Sequence, residues 1–352
     1  MKALRKLYHP SIFQGSISRN GYFEGWYFKQ VSADLQHVYA LIPGIALGTR
    51  SEERYAFIQV IDGMSGQTHF IQYPLEQFEA SDKALEVRIG ESVFSDSSIA
   101  LNIEHSDIAL RGTLGFKNLS PYPARLLSPG IMGWYSFIPR MECKHGLVSM
   151  NHYLEGQLQV NDTPIDFTGG KGYIEKDWGT SFPESWIWMQ CNHFSEPDTS
   201  CMLSIAKIPW MGNFFMGFLS FVKVGDTTRF FATYNGAKIV NIKNLSRRDS
   251  AGKTELEGVE LTIERESPSG REELRIHAES TRRGALKSPV RGRMDSFIKE
   301  SVDAEIRLEY RSSDGQTYRD TGRRGGLEIV ETVFEYFQAG QKQSEFSKNG
   351  SE

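Results

Sequence analysis

Apolar and polar residues alternate with a period of two along most of this chain, and sustained helical periodicity is hard to find. The alternation predicts two series of strands separated by turn residues such as DGMSG at 62–66. Hairpin turns are predicted at 225–226 and 313–315. Many short strands joined by turns favour an all-β architecture of antiparallel barrels or sandwiches. The first series is predicted at 22–31, 37–45, 54–61, 68–73, 84–89, 99–104 and 108–116, and the second at 201–208, 214–224, 228–234, 256–264, 273–278, 302–310 and 317–321.

The two series are similar in length and meet near residue 175, which predicts two β-domains packed side by side. The N-terminal domain is predicted to span residues 1–174 and the C-terminal domain residues 175–337. The polar tail, residues 338–352, is expected to be disordered. A chain of 352 residues is long enough for two domains that each have a core.

The stretch GYIEKDWGTSFPESWIWMQCNHF, residues 172–194, brings carboxylates, tryptophans and amides to the predicted junction. Aromatic faces attract cations, and carboxyl groups surrounded by apolar surface can stay protonated at neutral pH. Ligand sites favour domain interfaces and barrel mouths. The stretch therefore predicts a lipophilic pocket that holds an acid. Its carboxylates are Glu175, Asp177 and Glu184, its tryptophans are Trp178, Trp186 and Trp188, and its amides are Gln190 and Asn192.

Strand parity divides the second half of this stretch into two faces. One face mixes aromatic rings with amides, and because each buried amide needs partners, a cavity wall suits that mixture better than a core. An interdomain face whose amides bond neighbouring backbone fits the spacing equally well. The other face is predicted to be plain core. The mixed face comprises Trp186, Trp188, Gln190, Asn192 and Phe194, and the core face comprises Ile187, Met189, Cys191 and His193.

Three carboxylates are candidates for acid chemistry. Glu175 and Asp177 share a face of an extended segment, with Lys176 and Trp178 opposite, and two close carboxylates raise the pKa of one of them. The residues alone favour ion pairing for these two side chains, since ion-pair networks are commoner than active sites. Glu24 lies between apolar neighbours in an earlier strand, so a buried Glu24 must be neutral or paired with a cation.

Composition excludes several function classes. A net charge of −4 gives no electrostatic reason to expect nucleic acid, and three cysteines without CxxC spacing indicate reduced thiols. We expect no metal, because His145, His152 and Glu155 do not share a strand face. P-loop, GxGxxG and GxSxG motifs are absent from the sequence. Without a secretory signal or a long apolar run, the protein is expected to be cytoplasmic and able to touch a membrane surface; the sequence sets no oligomeric state.

Four motifs resemble the tocopherol cyclase family: FEGWYFK at 23–29, GWYSF at 133–137, HGL at 145–147 and EKDWGTSFPESWIWMQCNHF at 175–194. The resemblance implies two lipocalin-like β-barrel domains around a lipophilic pocket. It also implies an isomerase of the intramolecular lyase type that closes a ring on a prenylated quinol or related isoprenoid, with no cofactor. In that chemistry an acid protonates an alkene and a hydroxyl attacks the resulting carbocation in a dry site.

The resemblance also implies roles for individual residues. Glu24 and Glu175 are the acid candidates, and Asp177, which stands where the plant cyclases have asparagine, adjusts their pKa. A carrier of a lipophilic small molecule and an isoprenoid hydratase that admits water remain the alternative functions. The predicted substrate-binding residues are Trp26, Tyr27, Trp134, His145, Trp178, Trp186, Trp188, Gln190 and Asn192, of which His145, Gln190 and Asn192 would orient a hydroxyl.

Overall fold

The computed structural model describes residues 2–139, 141–248, 254–280 and 282–337. It is built almost entirely of antiparallel strands, which confirms the predicted all-β class. The chain divides into two compact units. Unit 1 comprises Met1–Phe182 and Arg282–Asp303, and unit 2 comprises Pro183–Thr281 and Ala304–Glu352. The tail predicted to be disordered, residues 338–352, lies outside the described residues.

Unit 1 begins with a short helix, α1 (Lys2–Tyr8), and continues as one antiparallel sheet. The sheet order is β4-β3-β2-β1-β12-β10-β9-β8-β7-β6-β5, with β11 paired to β10. Short 3-10 helices occur at Ser51–Glu53, Leu75–Gln77 and Gly133–Phe137. The strands are β1 (Tyr22–Val31), β2 (Val38–Leu47), β3 (Arg54–Asp62), β4 (Thr68–Pro74), β5 (Phe78–Ala80), β6 (Glu86–Ile89), β7 (Ser92–Ser95), β8 (Ser98–His105), β9 (Ile108–Lys117), β10 (Cys143–Val160), β11 (Thr163–Asp166) and β12 (Lys171–Gly179).

The core of unit 1 lies on one face of this sheet. A single buried cluster takes Trp26 and Phe28 from β1, Ile58 from β3 and Phe94 from β7. Because one cluster receives side chains from strands in both halves of the sheet order, the sheet must curve around it. Strand alternation sends the intervening side chains, such as Tyr27, to the opposite face.

A hairpin formed by β20 (Gly284–Val290) and β21 (Arg293–Arg311) covers part of that opposite face. Met294 packs there with Phe57 and Ala46. The Gln59 side-chain amide donates a hydrogen bond of 3.0 Å to the carbonyl oxygen of Lys287 and accepts one of 2.9 Å from the backbone N–H of Lys287. The segment 282–293 contains five basic residues and Pro289, a composition typical of an exposed loop. It is nevertheless mostly strand, because apolar side chains such as Leu286 are buried.

Unit 2 is a second antiparallel sheet, in the order β16-β15-β14-β13-β22-β21-β19-β18-β17. Its core cluster includes Ile187, Met189 and Cys191 from β13, as predicted. Residues 293–303 of strand β21 belong to unit 1, and its residues 304–311 belong to unit 2. A short 3-10 helix lies at Thr233–Asn235. The remaining strands are β13 (Trp186–Cys191), β14 (Ser200–Trp210), β15 (Asn213–Val224), β16 (Thr227–Ala232), β17 (Lys238–Arg248), β18 (Thr254–Ser267), β19 (Gly270–Glu279) and β22 (Thr317–Ile329).

Two sequence-based expectations need correction. The predicted boundary between residues 174 and 175 falls inside β12, whose hydrogen bonds to β1 and β10 continue to Gly179. Phe194 was placed with the tryptophan row, but β13 ends at Cys191, so parity no longer applies and Phe194 packs in the core beside Cys191. The turns at 225–226 and 313–315 are confirmed.

No helix in the described part of the chain is both long enough and apolar enough to cross a membrane.

Candidate functional site

Strand β12 lies between β1 and β10 and presents different chemistry on its two faces. Glu175 is opposite Tyr27 of β1, and Asp177 is opposite His145 of β10. These four side chains therefore belong to one face of the sheet. Lys176 is opposite Trp26 and belongs to the core face. The predicted parity of Glu175 and Asp177 against Lys176 is confirmed.

On the first face, the imidazole of His145 lies between two carboxylates. Its Nδ1 is 3.0 Å from Oδ1 of Asp177, and its Nε2 is 3.4 Å from Oε2 of Glu175. The Tyr173 hydroxyl donates a hydrogen bond of 2.6 Å to the same Glu175 oxygen. Glu175 is only 4% exposed. We call His145, Glu175 and Asp177 the His145 cluster.

The charge state of His145 follows from its two neighbours. Burial alone would lower its pKa, but attraction to Glu175 and then to Asp177 outweighs burial and raises the pKa to about 9. The imidazole is therefore protonated at neutral pH. The cluster holds at least this one proton between two carboxylate acceptors, so it is equipped to store and pass a proton.

The same three residues are the group of described side chains that could hold a metal ion, since their ligand atoms lie within 4.8 Å of one another. The arrangement suits a proton better. The two ring nitrogens face different carboxylates, so an ion bound at one nitrogen would leave the other carboxylate across the ring. The sequence-based expectation of no metal stays a prediction.

Other polar groups surround the cluster. Cys143 Sγ is 3.8 Å from Oδ1 of Asp177, and burial, followed by the charge of Asp177, raises the pKa of this thiol well above its usual range. A cysteine in that state is not an activated nucleophile. A cavity of about 140 Å³ reaches His145 and is too small for a whole prenylated quinol. Its lining includes Lys6, Pro10, Met132, Lys144 and Trp178.

The core face carries a saturated ion pair. Lys176 Nζ is 2.5 Å from Oε1 of Glu24, and both side chains are fully buried. Lys176 also donates to the carbonyl oxygens of Pro10 and Ile12, at 3.0 and 2.5 Å. Burial lowers the pKa of Lys176 to about 8, although the charge of Glu24 opposes this shift. The pair ties the segment before β1 to the sheet.

Glu24 has no room for a further role in this state. Its oxygens accept hydrogen bonds from the backbone of Gln14, at 2.7 Å, and of Gly15, at 2.9 Å. The Tyr22 hydroxyl is a further donor, and burial together with Glu24 raises the pKa of Tyr22. Because Glu24 already has four partners, it is a weaker acid candidate than Glu175.

Trp26 and Trp178 were predicted to wall the substrate pocket. Their ring centroids lie 4.5 and 5.1 Å from Nζ of Lys176. The Trp26 indole donates to the carbonyl of Ser11 at 2.7 Å and is fully buried. Trp178 also lines the cavity that reaches His145, but both rings belong to the face opposite Glu175.

Tyr27 and Trp134 complete the predicted residues of unit 1. The Tyr27 hydroxyl donates a hydrogen bond of 2.7 Å to Oε1 of Glu300, a buried carboxylate of β21. Trp134 stacks on Tyr135 with ring centroids 4.2 Å apart and is 44% exposed. Tyr27 therefore lies on the face of the His145 cluster, whereas Trp134 lies at the surface.

The other predicted residues belong to unit 2. All four residues of the tryptophan and amide row are buried: Trp186, Trp188, Gln190 and Asn192. The Trp186 indole N–H donates a hydrogen bond of 2.7 Å to Oε2 of Glu328. Glu184 pairs with Lys207 at 2.6 Å at the surface. The larger cavity of unit 2, about 600 Å³, is lined largely by charged side chains such as Arg275, Arg307 and Glu309, and so suits a lipophilic substrate poorly.

Sequence reasoning missed three contacts near the site: the hydrogen bond from Tyr173 to Glu175, the hydrogen bond from Tyr27 to Glu300, and the pairing of Lys176 with Glu24. Tyr173 shares the parity of Glu175 two residues away, so it could have been found by extending the alternation. The other two depend on strand neighbours more than 150 residues apart in the chain, which no local pattern reveals.

Residues 122–329, more than half of the chain, match the family model described as tocopherol cyclase-like. A protein of Oryza sativa subsp. japonica named "Probable tocopherol cyclase, chloroplastic" is 30% identical over 74 residues, which are 21% of this chain and 16% of that protein. "Tocopherol cyclase, chloroplastic" of Zea mays is 31% identical over 62 residues, 18% of this chain and 13% of that protein. The matches thus span less than a fifth of either plant protein.

Two solved structures are similar in fold. CghA, in complex with Sch210972, aligns over 88% of this chain and 88% of its own, with a TM-score of 0.57 and 10% identity. An AttH-type protein from Nitrosomonas europaea aligns over 88% of this chain and 93% of its own, with a TM-score of 0.50 and 13% identity. These likenesses concern the fold alone, and they confirm the lipocalin-like antiparallel architecture.

Proposed function

Because this chain belongs to the tocopherol cyclase-like family, we propose that it is an enzyme that closes a ring on a prenylated quinol or related isoprenoid by acid catalysis. Such a reaction is an isomerisation. The observation that carries the proposal is the array in which Tyr173, Glu175, His145 and Asp177 follow one another on one face of unit 1, with Tyr173 and Glu175 buried.

Proton balance explains why such an array suits cyclisation. Protonation of the alkene breaks the π bond, forms a C–H bond and leaves a tertiary carbocation. The quinol oxygen then forms a C–O bond with that carbon and loses its proton. Because one proton is delivered and one is recovered, a cluster that stores a proton can serve both steps without a cofactor.

We assign the donating acid to Glu175. His145 can receive a proton on its Asp177 side at Nδ1 and release one on its Glu175 side at Nε2. In this scheme Asp177 orients the ring and stabilises the imidazolium. Tyr173 holds Glu175 in place through its hydrogen bond.

The test is turnover of a phytylated benzoquinol by purified protein, followed by chromatography and mass spectrometry. We expect a product of unchanged mass that has lost a double bond and a hydroxyl. Addition of water would instead indicate a hydratase, and recovery of unaltered substrate would indicate a binding protein.

The acid assignment is tested by Glu175→Gln, for which we expect a loss of turnover of roughly 10²- to 10⁴-fold, the usual contribution of a positioned acid. Glu155→Gln on strand β10 is the matched control, because Glu155 is exposed and pairs with exposed Lys117. Full turnover by folded Glu175→Gln would refute the assignment. Glu24→Gln, if folded, is expected to retain activity.

A further inference from the structure

Unit 1 exposes a group of large apolar side chains from two separate segments. Leu126 is 80% exposed, Leu127 is 76% exposed and Leu4 is 61% exposed. Trp134 and Phe137 are exposed as well. We call these five residues the apolar rim. Scattered single apolar side chains are normal on a protein surface, but a group of them indicates an interaction site.

Leu126 and Leu127 form the tip of a tight turn. Arg125 and Ser128 exchange backbone hydrogen bonds of 2.9 and 3.0 Å across them, and the Ser128 hydroxyl lies 2.7 Å from that of Tyr122. Two-residue turns normally carry small or polar residues. A braced turn that holds two leucines in water is costly for an isolated protein, so its apolar tip is suited to a partner.

Contacts hold the two segments of the rim together. The Tyr8 hydroxyl at the end of α1 donates a hydrogen bond of 2.5 Å to the carbonyl oxygen of Leu126. Lys6 and Pro10 from the first segment and Met132 and Ser136 from the second line the same 140 Å³ cavity, which reaches His145. The rim therefore adjoins the candidate site within one unit.

The charge of these segments has one sign. Residues 1–23 and 108–141 contain no Asp or Glu but eight Lys and Arg, although the whole chain has a net charge of −4. Arg5 and Arg125 are exposed beside the rim. Anionic lipid headgroups attract basic side chains, and Trp, Tyr, Leu and Phe suit the boundary between headgroups and acyl chains.

We propose that the apolar rim docks unit 1 onto an anionic phospholipid bilayer. The leucine tip projects from its turn, and a projecting tip inserts into deformable lipid without needing a preformed groove. The basic flanks add electrostatic attraction to anionic lipid, the second of the two signals that stable membrane anchoring takes. Delivery of a lipophilic substrate by this contact rests on the proposed function, whereas the docking itself does not.

Binding is tested with the full chain and floated vesicles of phosphatidylcholine, either pure or with about a third phosphatidylglycerol. We expect the protein to float with the anionic vesicles and much less with the pure ones. Leu126→Ser/Leu127→Ser should weaken partitioning on the order of tenfold through lost apolar burial. Arg125→Glu should weaken it at least about fivefold, and only at low salt.

Met211→Ser is the matched control, because Met211 is an apolar turn residue of unit 2 and is 92% exposed. Its vesicle binding should equal that of the unchanged protein. The proposal is overturned if the unchanged protein binds neither vesicle, if the leucine variant binds normally, or if Met211→Ser is equally impaired. A leucine variant that changes only the sedimentation of the free protein would identify a second copy as the partner and would also overturn it.

Turnover separates this proposal from the proposed function. The leucine variant should process quinol dispersed in detergent micelles at the normal rate and lose turnover of quinol embedded in anionic vesicles. Glu175→Gln should bind vesicles normally and lose turnover in both. Vesicle binding without any turnover by the unchanged protein would leave docking intact and refute the function. Normal turnover of vesicle-embedded quinol by a leucine variant that no longer binds vesicles would refute delivery through the apolar rim and leave the function intact.

Discussion

Glu24 and Glu175 show how surroundings give the same side chain different roles. They occupy neighbouring strands, yet Glu24 has an ammonium group and three hydrogen-bond donors as partners, whereas Glu175 has a tyrosine hydroxyl and a protonated imidazole. The first arrangement fixes a charge permanently in the core. The second leaves a proton between groups that can exchange it, which is the property that acid catalysis needs.

The core ion pair yields a stability prediction. Lys176→Met should lower the free energy of unfolding by about 3–5 kcal/mol, because Glu24 would remain as a buried charge without its cation. Glu24→Gln should also destabilise, since it removes the charge that Lys176 faces. The double variant should lose less unfolding free energy than the two single variants lose in sum, and the difference, the coupling energy of the pair, should be roughly 1–3 kcal/mol. Urea unfolding of the four proteins measures this.

Lys117→Met serves as the control for the lysine change, because Lys117 is 64% exposed in a surface pair, and such pairs contribute about 1 kcal/mol at most. Strict additivity of the two core substitutions would contradict the pairing of Glu24 with Lys176.

The pKa of His145 gives a pH prediction with a definite sign. Its native pKa of about 9 lies above the ordinary value of 6.5, so the native state binds this proton more tightly than the unfolded chain. The contribution to stability is complete below pH 6.5 and is lost as pH rises through about 9. The unfolding free energy of the unchanged protein minus that of His145→Gln should therefore fall by on the order of 3 kcal/mol between pH 6.5 and 9.

The difference between two proteins is needed because Lys176 also titrates. Its lowered pKa of about 8 acts with the opposite sign above pH 8, but it is present in both proteins and largely cancels. A flat difference for His145→Gln would show that Glu175 and Asp177 do not hold the imidazolium.

At the scale of single elements, the alternation of side chains along a strand could be predicted from the sequence, but the partner strands in the sheet could not. The predicted bounds of β1 match the observed ones, and Glu175 and Asp177 are correctly separated from Lys176, because parity within a strand is a local property. The alternation did not reveal β10 as a strand, although β10 carries His145 to Asp177. The imidazole between two carboxylates exists only because β10 and β12 pair, and strand pairing is decided by the whole fold.

At the scale of the molecule, the all-β class and the presence of two units were accessible from composition and turn spacing. The path of the chain between the units was not. A sequence read from one end suggests consecutive domains, but residues 282–303 return to unit 1 after most of unit 2 has been completed. Burial of Leu286 and Met294 favours the packing of residues 282–303 in unit 1. Two apolar residues in this segment do not by themselves tell, from the sequence, which unit buries them.

This return can be tested by removing the hairpin. Gly284 and Glu300 are Cα partners, so a Gly-Ser linker can replace residues 285–299 without moving either end. The deletion removes Met294 from Phe57 and the Lys287 backbone from Gln59. We expect amide hydrogen exchange in β2–β4 to accelerate at least about tenfold, because lost packing and hydrogen bonds lower the cost of local opening.

Two controls accompany this deletion. Exchange in β14–β16 of unit 2 should stay unchanged in the deletion variant. A second variant, in which a Gly-Ser pair replaces the turn Gly225-Asp226, should show unchanged exchange in both units. Equal acceleration in both units, or none in β2–β4, would show that the hairpin does not belong to the cooperative structure of unit 1.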